Sequence, residues 1–463
     1  MTEKREDLQD LGKYSYPNEG DVERAIAEDG VFGTITEDGP NYRNLGWIGT
    51  SVIMMKIQIG LGVLSIPSAF DTLGLIPGVI CLLCIAFSTT WSSYIVGVFK
   101  LNHREVYGID DATSLILGPV GREILGAGFM LYLVFAAASG MLSISIALNT
   151  VSTHGACTAV FVGTAAICIL LLASIRTLDR ISILAWLGLV TLLCSLFTVT
   201  IAIAIQDHPD SAPPGPWVSD YKLFNNPTFT DAISAVSQFV FAYAGPPFFF
   251  PVISEMRKPQ DYPKALALCQ TIVTITYVVI GIVVYYYCGS YVASPALGSA
   301  GKLIKQISYG VALPGILIAS TISTHLASKY VFVRILRNSD HLVANTFVHW
   351  GTWLASVVTL VIIEYCISSG IPIFDSLVSL IGSLLATLQC YQPMAGIWLY
   401  DNWSNRQRPL VWVILVCWSF LMIIGGTFLM IGGTYGAIAG IIDSFKSSER
   451  PGIWSCADNS NSV

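Results

Sequence analysis

Lys56 stands nine residues inside the first long apolar run of this 463-residue chain, in "MMKIQIGLGVLSIPSAF" (residues 54–70), a stretch that also holds Gln58, Gly60, Gly62 and Pro67. A rise of about 1.5 Å per residue carries its ammonium about 14 Å along a helix, into hydrocarbon unless it finds partners. Glycine and proline both weaken a helix interior. Backbone groups left unsatisfied in lipid are costly, so such a break persists only where it lines protein or a water-filled cavity. A second break of this kind lies in "SQFVFAYAGPPFFFPVISEM", which contains Gly245, Pro246, Pro247 and Pro251. An unwound segment frees N–H groups that bind a carboxylate, helped by the positive end of the following half-helix, and C=O groups that hold an ammonium. A zwitterionic amino acid needs both. Glycines 60 and 62 taken alone would also serve close helix packing. Repetition of the break at corresponding places in two halves of the chain is what points to a midplane site in an inverted-repeat transporter.

Other residues carry possible proton chemistry. In "ASTISTHLASKY", Thr321 and His325 are four residues apart and share a helix face, with Thr324 adjacent. His325 has a reference pKa of about 6.5, which suits a proton shuttle, although a histidine satisfied by a carbonyl or hydroxyl is an equally good reading. Lys56 either exchanges protons during transport or snorkels to the inner interface. Glu364 falls close to the outer end of its apolar run and reads as interfacial. Phe241 and Tyr243 are the leading wall residues for a substrate side chain, with Phe135 and Ser139 opposite them. No acidic side chain lies near either break, which favours neutral substrates. No nucleophile, metal cluster or facing pair of carboxylates marks an enzyme. The eleven cysteines lack CxxC or Cys/His clustering and read as core filler, with no disulfide framework or metal site expected.

These residues must be positioned by helices. The chain is 54% hydrophobic and 12% charged, with a mean hydropathy of +0.65, the composition of an integral membrane protein. Runs long enough to cross a hydrocarbon core of about 30 Å predict eleven spans. They lie near 47–70, 75–99, 122–150, 157–175, 180–206, 231–256, 262–292, 310–336, 344–367, 372–396 and 410–436. The fold expected is all-α and polytopic. Its parts are a tail over 1–46, a five-helix repeat over 47–206, an outer loop over 207–230, a second repeat over 231–396, a loop and eleventh helix over 397–436, and an outer tail over 437–463. Residues 1–46 hold eleven acidic and five basic side chains and few large apolar groups, a composition that does not form a packed core. With the amino terminus inside, eighteen Lys and Arg residues fall on the inner side and five on the outer, as short cytoplasmic loops require. The carboxyl terminus is then outside, and the sequon at Asn402 is cytoplasmic. The net charge of −6 sits largely in the tail and gives no reason to expect a nucleic-acid partner.

The segments "GLGVLSIPSAF" and "FAYAGPPFFFPVISEM", followed by "RKPQDYPKAL", resemble the amino acid/auxin permease family. "EDGVFGTITEDGPNYRNLGW" looks like its fungal branch of neutral amino acid permeases of the methyltryptophan-resistance type. The resemblance covers about residues 28–436. It implies a leucine-transporter-like fold of ten core helices plus one, needing no cofactor. It also implies plasma-membrane import of neutral aliphatic and aromatic amino acids by proton symport with alternating access. By position, Gly60, Leu61, Gly62 and Val63 would face the substrate carboxylate. Phe241, Ala242, Tyr243, Ala244 and Gly245 would face its amine and side chain. Helices one and eight adjoin in that fold, so Thr321, Thr324 and His325 would neighbour Lys56. Sodium-coupled members place what looks like an ion-coordinating asparagine where this chain has Lys56, which implies independence of sodium. Many relatives have histidine where this chain has Pro246, so no role of that histidine transfers. An amino acid sensor and a vacuolar exporter of the same fold are the alternatives.

Overall fold

The computed structural model describes residues 28–29, 33–34, 45–175, 181–206, 209, 212, 217–336, 339, 341, 346–404, 409–446 and 454–460. Most of the acidic tail, and Arg176, Arg180, Arg337, Arg406, Arg408 and Arg450 of the orientation argument, lie outside the described residues. Two short segments of the tail, Glu28–Asp29 and Gly33–Thr34, pair antiparallel.

Every apolar run becomes helix. Nine helices among the described residues are long and apolar enough to cross a membrane, and the bent pair Trp47–Gln58 and Gly62–Leu73 makes a tenth. Thr158–Ala173 is a shorter apolar helix. In chain order span one is the bent pair, span two Leu75–Asn102, span three Ile109–Ser152, span four Thr158–Ala173 and span five Ile181–Ile205. Span six is Phe229–Ala242 followed by Pro246–Ser254, span seven Tyr262–Cys288, span eight Lys302–Ile335 and span nine Phe347–Gly370. Span ten is Phe374–Asn402 and span eleven Leu410–Lys446.

Several helices outrun their expected limits. Span three starts at Ile109, thirteen residues before Arg122, because Gly118 turns the chain at φ 65° ahead of Pro119 and a polar first turn can join the apolar rod. Arg122 ties that turn down through Asp111 at 3.3 Å. Span eight starts at Lys302, and span eleven continues past 436 to Lys446. Span eight is the mast of the bundle, packed on spans three, four, five and nine. Span eleven lies against the first half of span six and against span ten. Span ten contains a π-helical turn, Ile381–Ala386, where Gly382 comes so close to the Ser237 carbonyl of span six that a methyl group would not fit.

The expectation that the cysteines are only filler is overturned at one pair. Cys157, at the head of span four, is disulfide-bonded to Cys456, beyond span eleven. The two are 299 residues apart, so no local spacing could signal the bond. Residues 454–460 therefore are not a free tail. Thr158 donates to the Ala457 carbonyl at 2.6 Å, Asn459 donates to Ser145 of span three at 3.0 Å, and Lys305 of span eight donates to the Ser460 carbonyl at 2.6 Å. A disulfide fits an oxidising compartment.

A protease site inserted between spans ten and eleven tests this pin. After cleavage the two fragments should migrate together without reductant and separate with it, and the Cys456→Ser variant should separate under both conditions.

Candidate functional site

The first half of span one ends at Gln58, and the chain turns by 46° before the second half begins at Gly62. The Ile59 and Gly60 N–H groups still reach back to the Met55 and Gln58 carbonyls, at 2.6 and 2.8 Å. Those of Leu61, Gly62 and Val63 have no acceptor among the described residues. They are the orphan donors of a new helix start. In span six the helix stops at Ala242 and resumes at Pro246. Pro246 and Pro247 fit the first turn, where an N–H would be unsatisfied in any case, so this second start has no N–H at its first two positions. Free donors gather only at span one.

The two breaks touch. A methyl group on Gly62 would overlap Ala242 Cα, and a methyl on Gly245 would lie 2.9 Å from Gln58 Nε2 and 2.7 Å from Phe249 Cζ. Tyr277 of span seven holds them together, its hydroxyl lying 2.6 Å from the Gln58 carbonyl and 3.0 Å from the Ala242 carbonyl. These are carbonyls at the ends of the two interrupted half-helices. Gln58 Nε2 is buried with no partner. It is a donor beside Gly245.

The proposed wall residues do not form one wall. Phe241 lies in the last turn of the first half of span six and Tyr243 just past its end, and the two rings meet different spans. Phe241 approaches Tyr132 of span three, centroids 6.2 Å apart, and the backbone of Gly382 in span ten. Tyr243 turns to span seven, where its ring meets Tyr277 edge-on at 5.0 Å and its hydroxyl donates to Thr274 at 3.1 Å. Ser139 donates to the Ala136 carbonyl of its own helix at 2.8 Å, and Phe135 is half-buried. Gly140, next to Ser139, is the residue that meets span one, with Leu61 Cδ1 3.3 Å from where its methyl would stand. On one side Phe70 packs edge-on against Phe239 at 5.8 Å. On the other Phe248 packs against Phe129 and Tyr132 at 5.0 and 5.5 Å. The breaks are thus shut in from both faces, and Leu61, Gly62, Val63 and residues 241–245 are all buried.

The proposed coupling residues separate into two groups. Lys56 is buried, its Cε 3.1 Å from where a methyl on Gly188 of span five would stand, with Ile318 of span eight bordering the same spot. It has no hydrogen-bond or ion-pair partner among the described residues, and the hydroxyl of Thr321 is likewise unpartnered. The expected bonds from span-eight hydroxyls to the ammonium are not made. His325 faces away, its Nδ1 3.2 Å from the Ala173 carbonyl of span four and its ring edge-on to Trp353 at 4.9 Å. That is the reading of a satisfied histidine. Thr324 bonds Glu364 of span nine at 2.8 Å.

Glu364 is not interfacial. It is fully buried, because span nine runs on to Gly370 and packs this face against spans three, four and eight. Gln58, Tyr132 and Tyr277 were also missed by sequence reasoning. Gln58 sits in the quoted opening motif and carries a signal; Tyr277 carries none, being one of several tyrosines in an apolar run.

Two variants test this geometry. Gly62→Val should lower uptake by roughly tenfold or more at normal membrane abundance, since overpacking against backbone costs about 1–3 kcal/mol. Gly163→Val, where a methyl meets nothing within 4 Å, should leave uptake unchanged. Tyr277→Phe should lower thermal stability in detergent by an amount equal to about 1–3 kcal/mol, the cost of buried acceptors losing their donor.

Residues 43–439 match the family described as transmembrane amino acid transporter protein. The chain is 35% identical over 432 residues to a "Transmembrane transporter" of Gibberella moniliformis, covering 92% of this chain and 90% of that one. It is 30% identical over 426 residues to the "N amino acid transport system protein" of Neurospora crassa, covering 91% and 90%. Among solved structures, a Na+-coupled sialic acid symporter in a substrate-bound outward-open state superposes with a TM-score of 0.51 at 13% identity, covering 86% of this chain and 91% of that one. That likeness carries the fold alone, and it is the leucine-transporter-like fold that the family resemblance implied. The chain is a multi-pass membrane transporter rather than an enzyme, and it belongs to the transmembrane amino acid transporter family.

Proposed function

We propose that this transporter imports neutral aliphatic and aromatic amino acids by proton symport with alternating access, at the plasma membrane. The observation that carries the reading is the meeting of the two breaks. Three N–H groups without an acceptor and the unpartnered Gln58 amide lie at these breaks, among buried apolar and aromatic side chains. Amide donors at a helix start suit a carboxylate. The carbonyl ends of the half-helices, held by Tyr277, suit an ammonium that would displace or share that hydroxyl. None of the residues brought to the breaks is acidic, so a second positive charge on the substrate would lack a counter-ion. Residues Gly60 to Val63 are assigned to the carboxylate, and Phe241, Ala242 and Gly245, with Tyr132, to the amine and side chain. Tyr243 supports Tyr277 from behind. The relatives' fungal amino acid transport system supports the substrate class.

Lys56 supports proton rather than sodium coupling. Its fixed charge occupies the inner third of span one, and no acceptor among the described residues holds it. A cation bound beside it would meet direct repulsion.

Reconstituted protein supplied with labelled leucine or phenylalanine tests the proposal. An inward proton gradient should drive accumulation, sodium should add nothing, and arginine and glutamate should compete poorly. Lys56→Met should weaken the dependence on the proton gradient. Accumulation that needs sodium, or uptake that never exceeds equilibration, would overturn the reading.

A further inference from the structure

Glu364 is the one fully buried carboxyl among the described residues. It has no ion-pair partner among the described residues, and its single hydrogen bond is with Thr324. Thr324 Oγ1 lies 2.8 Å from Glu364 Oε2 and 3.1 Å from the Ser320 carbonyl. A threonine hydroxyl has one hydrogen and a carbonyl can only accept. That hydrogen goes to one oxygen or the other: given to Ser320, it leaves Thr324 to accept from a protonated Glu364, and given to Glu364, it makes Thr324 the one donor to a carboxylate. The surroundings favour the protonated acid, since an ionised carboxylate here would be buried with at most one donor and no cation, an arrangement that proteins avoid.

The groups nearby leave it so. Span nine packs against spans three, four and eight. On span eight, His325 is committed to Ala173, and Lys329 is exposed. Arg122 and Glu123 of span three stand at its inner end, paired with Asp111 and Arg334. Tyr132 of the same helix faces Phe241 and Phe248. Cys168 is the ionisable residue of span four. On span nine itself, Tyr365 and Cys366 point round the helix from Glu364.

The carboxyl is also wired to the substrate site. Ser320, whose carbonyl receives Thr324, presses its hydroxyl into Gly140 beside Leu61 of the span-one break. On the other flank, Glu364 Oε1 is buried without a partner, and so is the hydroxyl of Ser368, one turn toward the outer end on the same face.

We propose that Glu364 is the group that takes up the transported proton from the outer side and releases it inward, coupled to the span-one break through Thr324 and Ser320. The step is a proton association. One O–H bond forms at Oε2 on loading and breaks on release, with no change of oxidation state. Closure of the break on substrate moves Leu61 against Gly140 and Ser320, and that shift reaches the acid through the Thr324 hydroxyl. This assignment rests on the symport reading above and names its proton site.

Glu364→Gln, isosteric and permanently neutral, is the test, read in proteoliposomes alongside wild type. Exchange of labelled leucine between equal pools should stay within about twofold of wild type, because substrate-only steps survive. Concentrative uptake under a proton gradient should fall to simple equilibration, and uptake should lose its dependence on pH. Thr324→Val, which keeps the shape and removes the acceptor, should shift the pH profile rather than abolish it. Infrared difference spectra on substrate binding should show a protonated-carboxyl band in wild type that is missing in Glu364→Gln. If that variant concentrates leucine with the wild-type pH profile, or the band persists, the assignment is wrong while symport stands. A wild type that does not concentrate leucine under a proton gradient overturns symport and the assignment together.

Discussion

The Tyr277 hydroxyl, set between the Gln58 and Ala242 carbonyls, is the contact on which the bundle's centre depends. In lipid a broken helix is tolerated only when its freed backbone groups find partners within the protein. One hydroxyl from span seven lies between the acceptors of both breaks and gives its one hydrogen to either or shares it between them. Tyr243 packs against the same ring and ties it to span six a second time. The N–H side of the break in span one is left unmet, and span six avoids the same need by placing prolines at its restart. The asymmetry is chemical. Acceptors are held by a movable hydroxyl, and donors are left free for a ligand.

Much of this was legible in the residues themselves. Glycine and proline mark where a helix must fail, and hydropathy marks where one must run, so the spans and both breaks follow from composition and order. What escaped depended on side chains meeting across the bundle. Nothing local distinguishes Tyr277 from Tyr285 or Tyr287. The Cys157–Cys456 bond joins positions at opposite ends of the chain. Glu364 was placed too near the surface because its depth was counted along one helix, whereas span eight and its Thr324 decide whether water reaches it.

Spans three, four, eight and nine form the frame around the breaks. Span eight is shared among spans three, four, five and nine, and the disulfide with residues 454–460 fastens the adjoining ends of spans three, four and eight to one another. Span one has a different character. Its first half meets span five across Gly188 and its break meets span three across Gly140, positions where the absence of a side chain permits close approach without interlocking. Small residues at such a seam let one element move against another.

The ionisable groups lie on either side of that seam. Lys56 reaches it from span one, and Glu364 stands behind it in the frame, one hydroxyl removed from Ser320. A zwitterionic substrate brings no net charge, so substrate alone cannot alter the electrostatic energy of moving span one by much. A proton on Glu364 can, because it decides whether Thr324 must donate to a carboxylate or is free to hold the Ser320 carbonyl. Substrate acts on one face of Ser320 and the proton on the other. Two ligands that bias the same element are coupled by necessity, and each must change the other's affinity by the same factor.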